Sequence, residues 1–316
     1  MRLSKRNFIK TSLITGIALT LALPVEVLAT GGKARKFKKK TKHVLVITFD
    51  GIRVDGLAQA NTPNINALIK NGAASMTTRD VMPSNTLPNY TSILTGAGPE
   101  VHGVNSNSWK LDNFKLPAVE TDADGYFPSV FKVLKDGVPG IKTAFLWNWK
   151  QLIYPYNQKY IDHQLYCEND AYIPLYDEAF KFISENRDIP TFTFLYTGHT
   201  DDIAHLHSWM SPEYIKSIEE GDEQIGILFD RLKKEGLYDD MHIMFISDHG
   251  GINKTHGGIS PEEMIVPWII QGPGIKKGFT IEEPNNTVNT ASTILYLFGV
   301  EQPLCWTGEV PYTIIK

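Results

Sequence analysis

The stretch His43-Val44-Leu45-Val46-Ile47-Thr48-Phe49, which ends at Asp50-Gly51, decides the fold. It is almost wholly apolar, and apolar runs of similar length recur at residues 142–147, 191–196, 241–246 and 266–270. Near-continuous apolar strands separated by helices are typical of a mostly parallel sheet that is covered on both faces. The sequence therefore predicts an α/β fold with a mostly parallel central sheet and helices on both faces.

Helices are predicted between these strands. The longest, at 212–235, opens with Ser211-Pro212-Glu213, which supplies an N-cap, a proline in the first turn and an acidic residue beside it. A further helix starts just after Thr86 and continues through 90–94, and others are predicted at 62–71, 128–134, 177–184 and 288–298. The stretch from about 110 to 171 is looser and aromatic. We therefore expect one domain at 43–316 with a small cap or lid inserted at 110–171.

The bulk composition is that of a globular protein. The 316 residues are 42% hydrophobic and 21% charged, and the net charge of -4 gives no general attraction to a nucleic acid duplex. A basic run lies within residues 30–42, where a solvated linker is favoured over a binding patch. The two cysteines, Cys167 and Cys305, could pair in an oxidising compartment, but their spacing does not show that they meet.

The N-terminus has the features of an export signal at residues 1–29. Basic residues precede an apolar stretch at 13–23, Pro24 stops that stretch, and Val27 and Ala29 suit cleavage. Residues 4–10 resemble a twin-arginine signal in which Lys5 replaces the first arginine, so the Tat and Sec routes both stay open. A periplasmic or secreted protein without a stable membrane anchor after cleavage is predicted; an uncleaved anchor is the alternative.

Polar side chains follow the predicted strands, at the sheet edge where α/β proteins bind ligands. Asp50 follows the first strand, Asp201 and His205 follow the strand at 191–196, and Asp248-His249 follow the strand at 241–246, with His256 soon after. On a helix, Asp201 and His205 would share one face; their neighbours that compete as ligands are Asp202, His199 and His207. Imidazole and carboxylate ligands without thiolates favour zinc over manganese or iron, and there are enough of them for two ions.

Thr86 is the candidate nucleophile, in Met82-Pro83-Ser84-Asn85-Thr86-Leu87-Pro88-Asn89. Pro88 favours a helix that begins here, and a helix N-terminus attracts anions. Taken alone, a threonine at this position is more often a simple N-cap.

Together these residues resemble the alkaline phosphatase superfamily and, within it, the nucleotide pyrophosphatase/phosphodiesterase (type I phosphodiesterase) group. The resemblance runs from His43 to the C-terminus. It rests on an ordered motif: Thr86-Leu87-Pro88-Asn89, Thr95-Gly96, Pro99 and His102-Gly103. The second cluster departs from the group's pattern, because Ala204 stands where a glycine is usual and residues 206–209 do not match.

The resemblance implies an alkaline-phosphatase-like sandwich and a two-metal hydrolase of small phosphodiesters or pyrophosphates. Thr86 would attack phosphorus and form a covalent phosphothreonine, and Asn107 would hold a phosphoryl oxygen, with Asn105 as the rival. Two zinc ions, or manganese or another divalent ion, are implied. The implied ligands are, for one ion, Asp50, Thr86, Asp248 and His249 and, for the other, Asp201, His205 and His256.

Other functions remain open. A sulfatase is disfavoured, because neither cysteine lies in the required motif. A phosphonoacetate hydrolase is the nearest alternative enzyme, and a catalytically dead metal-binding protein that recognises a phosphorylated ligand is the alternative from another class. A nucleotide substrate would need an aromatic slot, for which the candidate walls are Trp109, Phe114, Tyr126, Trp147, Trp149 and Tyr154. The oligomeric state is not predicted.

Overall fold

The apolar run at His43 forms a strand at the centre of the molecule. In the computed structural model, which describes residues 41–316, strand β1 (His43–Phe49) is buried along its whole length. The predicted signal peptide and residues 30–40 of the predicted linker lie outside the described residues.

The described residues contain one sheet of eight strands. Its spatial order is β4-β3-β5-β1-β6-β7-β2-β8, and β7 is antiparallel to both of its neighbours while the other pairings are parallel. The mostly parallel sheet predicted from the sequence is confirmed. The strands are β1 (His43–Phe49), β2 (Ala73–Arg79), β3 (Lys142–Trp147), β4 (His163–Tyr166), β5 (Thr191–Thr197), β6 (Met241–Ile246), β7 (Ile265–Gln271) and β8 (Phe279–Thr280).

Helices cover both faces of this sheet, as predicted. Successive β1 side chains point to opposite faces: Val44 and Val46 belong to one apolar core, and Leu45 and Ile47 belong to a second. The α-helices of the described residues are α1 (Val54–Gln59), α2 (Pro63–Asn71), α3 (Thr86–Thr95), α4 (Pro99–His102), α5 (Val130–Gly137), α6 (Ile173–Glu185), α7 (His199–His207), α8 (Pro212–Lys234), α9 (Pro261–Met264) and α10 (Asn289–Phe298).

Each core is built from a different set of helices. Helices α3, α5 and α10 contribute to the core that contains Val44, whereas α2, α6 and α8 contribute to the core that contains Leu45. Cys305 packs against the first core and Cys167 against the second, and both carry free thiols. The two cysteines therefore lie on opposite faces of the sheet.

The range 110–171, expected to hold a cap, has two parts. Strand β3 lies inside the sheet, paired with β4 on one side and β5 on the other, and α5 packs into the core. Residues 110–127 carry no helix or extended strand, only an isolated bridge between Lys110 and Asn113. Within residues 41–316, no helix combines the length and apolar character that a membrane crossing requires.

Candidate metal centre and nucleophile

Three adjacent parallel strands deliver the acidic residues to one edge of the sheet. Strand β1 pairs with β5 and β6, and their ends are level, since Phe49 aligns with Thr197 and Thr48 with Ile246. The residues that follow these ends are Asp50 after β1, helix α7 after β5, and Asp248-His249 after β6. Helix α7 presents Asp201 and His205 one turn apart, as the spacing predicted.

The first group of candidate ligands surrounds one nitrogen. His249 Nε2 lies 3.2 Å from Asp50 Oδ1, 3.2 Å from Asp248 Oδ2 and 3.2 Å from Thr86 Oγ1. Asp50, Asp248 and His249 are buried, at 1%, 0% and 0% exposure, so this group is shielded from bulk water. Asp201 also reaches it, because ligand atoms of Asp50, Asp201 and His249 lie within 4.8 Å of one another.

The second group lies beside the first. Asp201 Oδ2 is 3.3 Å from His205 Nε2, and Asp201 Oδ1 is 3.9 Å from His256 Nε2. The imidazoles of His249 and His256 stack at 3.8 Å, so the two groups adjoin. The structure thus brings together all seven residues proposed as ligands.

The three histidines share one hydrogen-bonding pattern. The Nδ1 atoms of His205, His249 and His256 lie 2.9, 2.8 and 2.8 Å from the backbone oxygens of Lys254, Gly250 and Ser84. A carbonyl oxygen can only accept, so each Nδ1 carries a proton and each ring turns its Nε2 toward the carboxylates. A backbone acceptor on the far nitrogen is the usual way in which metal-ligating histidines are oriented.

The buried charges and unpaired oxygens of these groups fit a bound cation. Burial and the carboxylate of Asp201 raise the pKa of Asp248 well above its ordinary value, and burial and the carboxylate of Asp248 do the same for Asp50. Burial and the neighbouring His256 lower the pKa of His249 to about 3, so this imidazole is neutral. Three buried oxygens, Asp50 Oδ1, Asp201 Oδ1 and Asp248 Oδ2, have no hydrogen-bond donor. Lone pairs that face lone pairs in a dry site fit a bound divalent ion.

Thr86 lies at the start of α3, with Asn85 at the N-cap position. The loop that precedes it is tied down by Asn89, whose amide donates to the carbonyl oxygens of Val81 and Pro83 and accepts from Val81 N. Thr86 is 4% exposed. The hydroxyl is therefore held in a fixed place beside the first ligand group.

Asn107 lies at the same helix end. Its Oδ1 accepts a hydrogen bond of 2.9 Å from Leu87 N, which leaves its amide nitrogen as the donor end of the side chain. Asn105, the rival by proximity, has no such bond to α3 in the structure.

The competing ligands on α7 point elsewhere. His199 pairs with Asp170 and lies 3.4 Å from Glu220, and His207 lies 3.9 Å from Glu213. Asp202 is exposed on the helix surface. None of the three belongs to either ligand group in the described residues.

The aromatic candidates divide between core and site. Trp109 packs with Leu87, next to Thr86, and Trp149 and Tyr154 pack against the same cluster. Trp147 belongs to the core that contains Val44. Tyr126 and Tyr154 line a shallow pocket of 290 Å³, and Phe114 is 47% exposed.

Two site residues were missed by the sequence analysis. Tyr196 donates a hydrogen bond of 2.6 Å to Asp50 Oδ2, although a tyrosine within an apolar strand is usually a core residue. Trp209 lies in the segment that did not match the expected pattern, and its ring packs edge-on to His205 and His256.

The fold and the paired acidic and histidine clusters define an alkaline-phosphatase-like α/β protein. The sequence profile of the type I phosphodiesterase/nucleotide pyrophosphatase family matches residues 44–266, and the chain belongs to this family. Murine ectonucleotide pyrophosphatase/phosphodiesterase 5, solved as an inactive variant with AMP, superposes with a TM-score of 0.74 at 16% identity, covering 88% of this chain and 100% of that one.

Curated relatives agree with this assignment. An uncharacterised pyrophosphatase/phosphodiesterase of Schizosaccharomyces pombe is 30% identical over 230 residues, or 66% of this chain and 44% of that protein. A bis(5'-adenosyl)-triphosphatase of Bos taurus is 27% identical over 241 residues, or 73% of this chain and 52% of that protein. The chain therefore spans about half the length of these relatives.

Proposed function

We propose that this protein is an exported, two-metal hydrolase of small phosphodiesters or pyrophosphates that acts through Thr86. The observation that carries the proposal is the meeting of Thr86 Oγ1, Asp50 Oδ1 and Asp248 Oδ2 at 3.2 Å from one histidine nitrogen. A hydroxyl beside donor-free buried carboxylates is where a metal-activated nucleophile would lie. The bis(5'-adenosyl)-triphosphatase relative and the murine structure with AMP support a nucleotide-like substrate.

In the proposed reaction, Thr86 Oγ1 attacks phosphorus in line and the ester oxygen opposite it leaves with its substituent. The product is a threonine phosphate ester, which water then cleaves to release phosphate or a phosphomonoester and restore Thr86. Two divalent ions, zinc in our proposal, would supply charge stabilisation at the attacking and leaving oxygens. Asp50, Asp248 and His249 would hold one ion with Thr86. Asp201, His205 and His256 would hold the other.

The protein's own groups would position the phosphoryl oxygens. The amide of Asn107 faces the start of α3, where its Oδ1 is already used by Leu87 N, so its N–H can donate to a phosphoryl oxygen. The N-terminal end of α3 adds a favourable field for an anion. That the murine structure is an inactive variant in which one threonine is replaced by alanine accords with a threonine nucleophile.

A panel of four substrates tests the reaction class. The zinc-loaded protein would be assayed with bis-p-nitrophenyl phosphate, p-nitrophenyl phosphate, phosphonoacetate and a dinucleotide. We expect diester turnover to exceed monoester turnover and to disappear with a chelator. Preferential cleavage of phosphonoacetate would replace the reaction class, and tight zinc binding without any turnover would favour the catalytically dead binding protein.

A further inference from the structure

Trp209 lies where the three loops of the candidate metal centre meet. These are the loop that follows Asp50, the turn that follows α7, and the loop between His249 and His256. It follows α7 by two residues and is 4% exposed, so almost all of its ring is in contact with protein. The preceding residue, Ser208, departs from helical geometry with φ 101° and turns the chain back toward the site. Trp209 lies beside the metal centre but is not one of its proposed ligands.

The first contact of Trp209 is with the loop that follows Asp50. Its indole Nε1 donates a hydrogen bond of 2.8 Å to the carbonyl oxygen of Gly51. The hydroxyl of Tyr214 donates to the same oxygen at 2.9 Å and accepts from Arg53 N. The backbone next to Asp50 is therefore held by two aromatic donors from the segment that follows α7.

The second contact is with the loop between His249 and His256. Trp209 N donates to Asn253 O at 2.6 Å. The ring packs so closely on Gly251 that a Cβ there would lie 2.3 Å from Trp209 Cε2. The missing side chain of Gly251 therefore leaves room for the indole.

The third contact is with the imidazoles themselves. The Trp209 ring lies edge-on to His205, with centroids 5.2 Å apart, and to His256, at 5.9 Å. Edge-to-face packing restricts the rotation of both rings. Their Nδ1 atoms are already fixed by backbone oxygens, so the indole removes the remaining freedom of the Nε2 atoms that face Asp201.

We propose that Trp209 is a positioning residue that fixes the three loops of the metal centre relative to one another and holds His205 and His256 in ligating orientation. This inference rests on the proposed two-metal function. Residues that orient metal ligands from outside typically change metal affinity by about 10–100-fold when they are replaced.

Trp306 offers a matched control. It is also 4% exposed, its Nε1 donates to the carbonyl oxygen of Pro128 at 3.1 Å, and its ring closes on Gly96, where a Cβ would lie 2.6 Å from it. Trp306 belongs to the core on the α3 face and lies in neither ligand group. Trp209→Phe and Trp306→Phe therefore each remove one buried indole donor, but only the first would disturb the metal centre.

The test is a zinc titration of the metal-free full-length protein in competition with a chelating dye. We expect two ions in the unaltered protein and in Trp306→Phe. In Trp209→Phe we expect a loss of about 10–100-fold in affinity for the ion at Asp201, His205 and His256. Cobalt substitution adds a second readout, because its absorption spectrum reports ligand geometry and should change only in Trp209→Phe.

If Trp209→Phe does not fold, Gly251→Ala keeps the indole but forces it away from the loop, and we expect the same loss of affinity. Unchanged affinity and cobalt spectrum in Trp209→Phe, or in Gly251→Ala where that variant replaces it, would overturn the role of Trp209. Failure of the unaltered protein to bind two ions would instead contradict the proposed function.

Discussion

Asp80 is a buried carboxylate that the proposed chemistry does not use. It is 2% exposed, and neither of its side-chain oxygens has a hydrogen-bond partner. Burial, followed by the nearby carboxylate of Asp248, raises the pKa of Asp80 from 3.8 to about 9. Asp222 is equally buried, at 1% exposure, but its carboxylate accepts hydrogen bonds from the backbone nitrogens of Asn64 and Ile65.

This contrast predicts opposite effects of the same substitution. The folded protein keeps a proton on Asp80 that the unfolded chain releases, so Asp80 lowers stability increasingly as pH rises from about 4 toward about 9. We expect Asp80→Asn to raise the free energy of unfolding of the metal-free protein at pH 8 by at least about 1.4 kcal/mol, the equivalent of one pKa unit. The gain should shrink toward pH 4.

Urea unfolding at several pH values would measure this effect. Asp222→Asn is the control and should destabilise the protein, because an amide cannot accept from both backbone donors. A pH-independent effect of Asp80→Asn would show that folding does not raise the pKa of Asp80, and a loss of stability at pH 8 would show that its carboxylate is ionised and paired in the folded protein.

At the scale of elements, helix α7 carries two proposed metal ligands and ends at a residue with a strained backbone. It carries Asp201 and His205 on one face and then stops at Ser208, whose φ of 101° and ψ of 144° suit glycine far better than serine. A residue held in such a region costs about 1–3 kcal/mol. The strain allows the chain to place Trp209 beneath the imidazoles.

Ser208→Gly should therefore stabilise the protein. We expect an increase of about 1 kcal/mol in the free energy of unfolding, because glycine adopts this backbone conformation freely, offset in part by its greater unfolded-state entropy. Calorimetric unfolding would measure this increase in stability.

Ser211→Gly is the matched control and should not stabilise the protein, since Ser211 has an ordinary φ of -68° and caps α8 by accepting from Tyr214 N. A loss of stability in Ser208→Gly would mean that its hydroxyl, which donates to Trp209 O, outweighs the strain.

The elements also show where sequence patterns suffice. Strands β3 and β6 have their predicted bounds. The run of β6 lies between the polar residues Asp240 and Ser247, which mark both ends, whereas β3 itself begins with Lys142 and Thr143. Strand β7 was predicted as a strand, but its antiparallel direction was not, since hydrophobicity carries no direction. Strand β2 was not predicted. Its sequence, AASMTTR, lacks both an apolar run and a clear alternation, and its pairing has a register shift between Ser75 and Thr78.

At the scale of the molecule, the candidate centre depends on pairings that are distant in sequence. Asp50, Asp201 and Asp248 could be predicted to meet because each follows a strand of a parallel sheet. Their grouping with Thr86 and Asn107 came from an ordered motif and not from local pattern. The contribution of Trp209 could not be predicted, because it depends on the space left by Gly251 and on a backbone turn at Ser208.

The assignment of Thr86 as the nucleophile is the claim that most needs a direct test. Thr86 is one of several buried threonines in α3, and Thr91, five residues further on, donates to Leu87 O. Helix geometry alone cannot distinguish a nucleophile from a structural hydroxyl. A comparison of Thr86 with Thr91 separates the two roles within one helix.

The most direct measurement is kcat/KM for bis-p-nitrophenyl phosphate in the zinc-loaded unaltered protein, Thr86→Ala and Thr91→Ala, with mass spectrometry of the protein during turnover. We expect a loss of at least about 10³-fold in Thr86→Ala, a change of a few-fold at most in Thr91→Ala, and an adduct on Thr86 in which the phosphoryl group still carries one p-nitrophenyl ester. Diester turnover that persists in zinc-loaded Thr86→Ala would contradict the account.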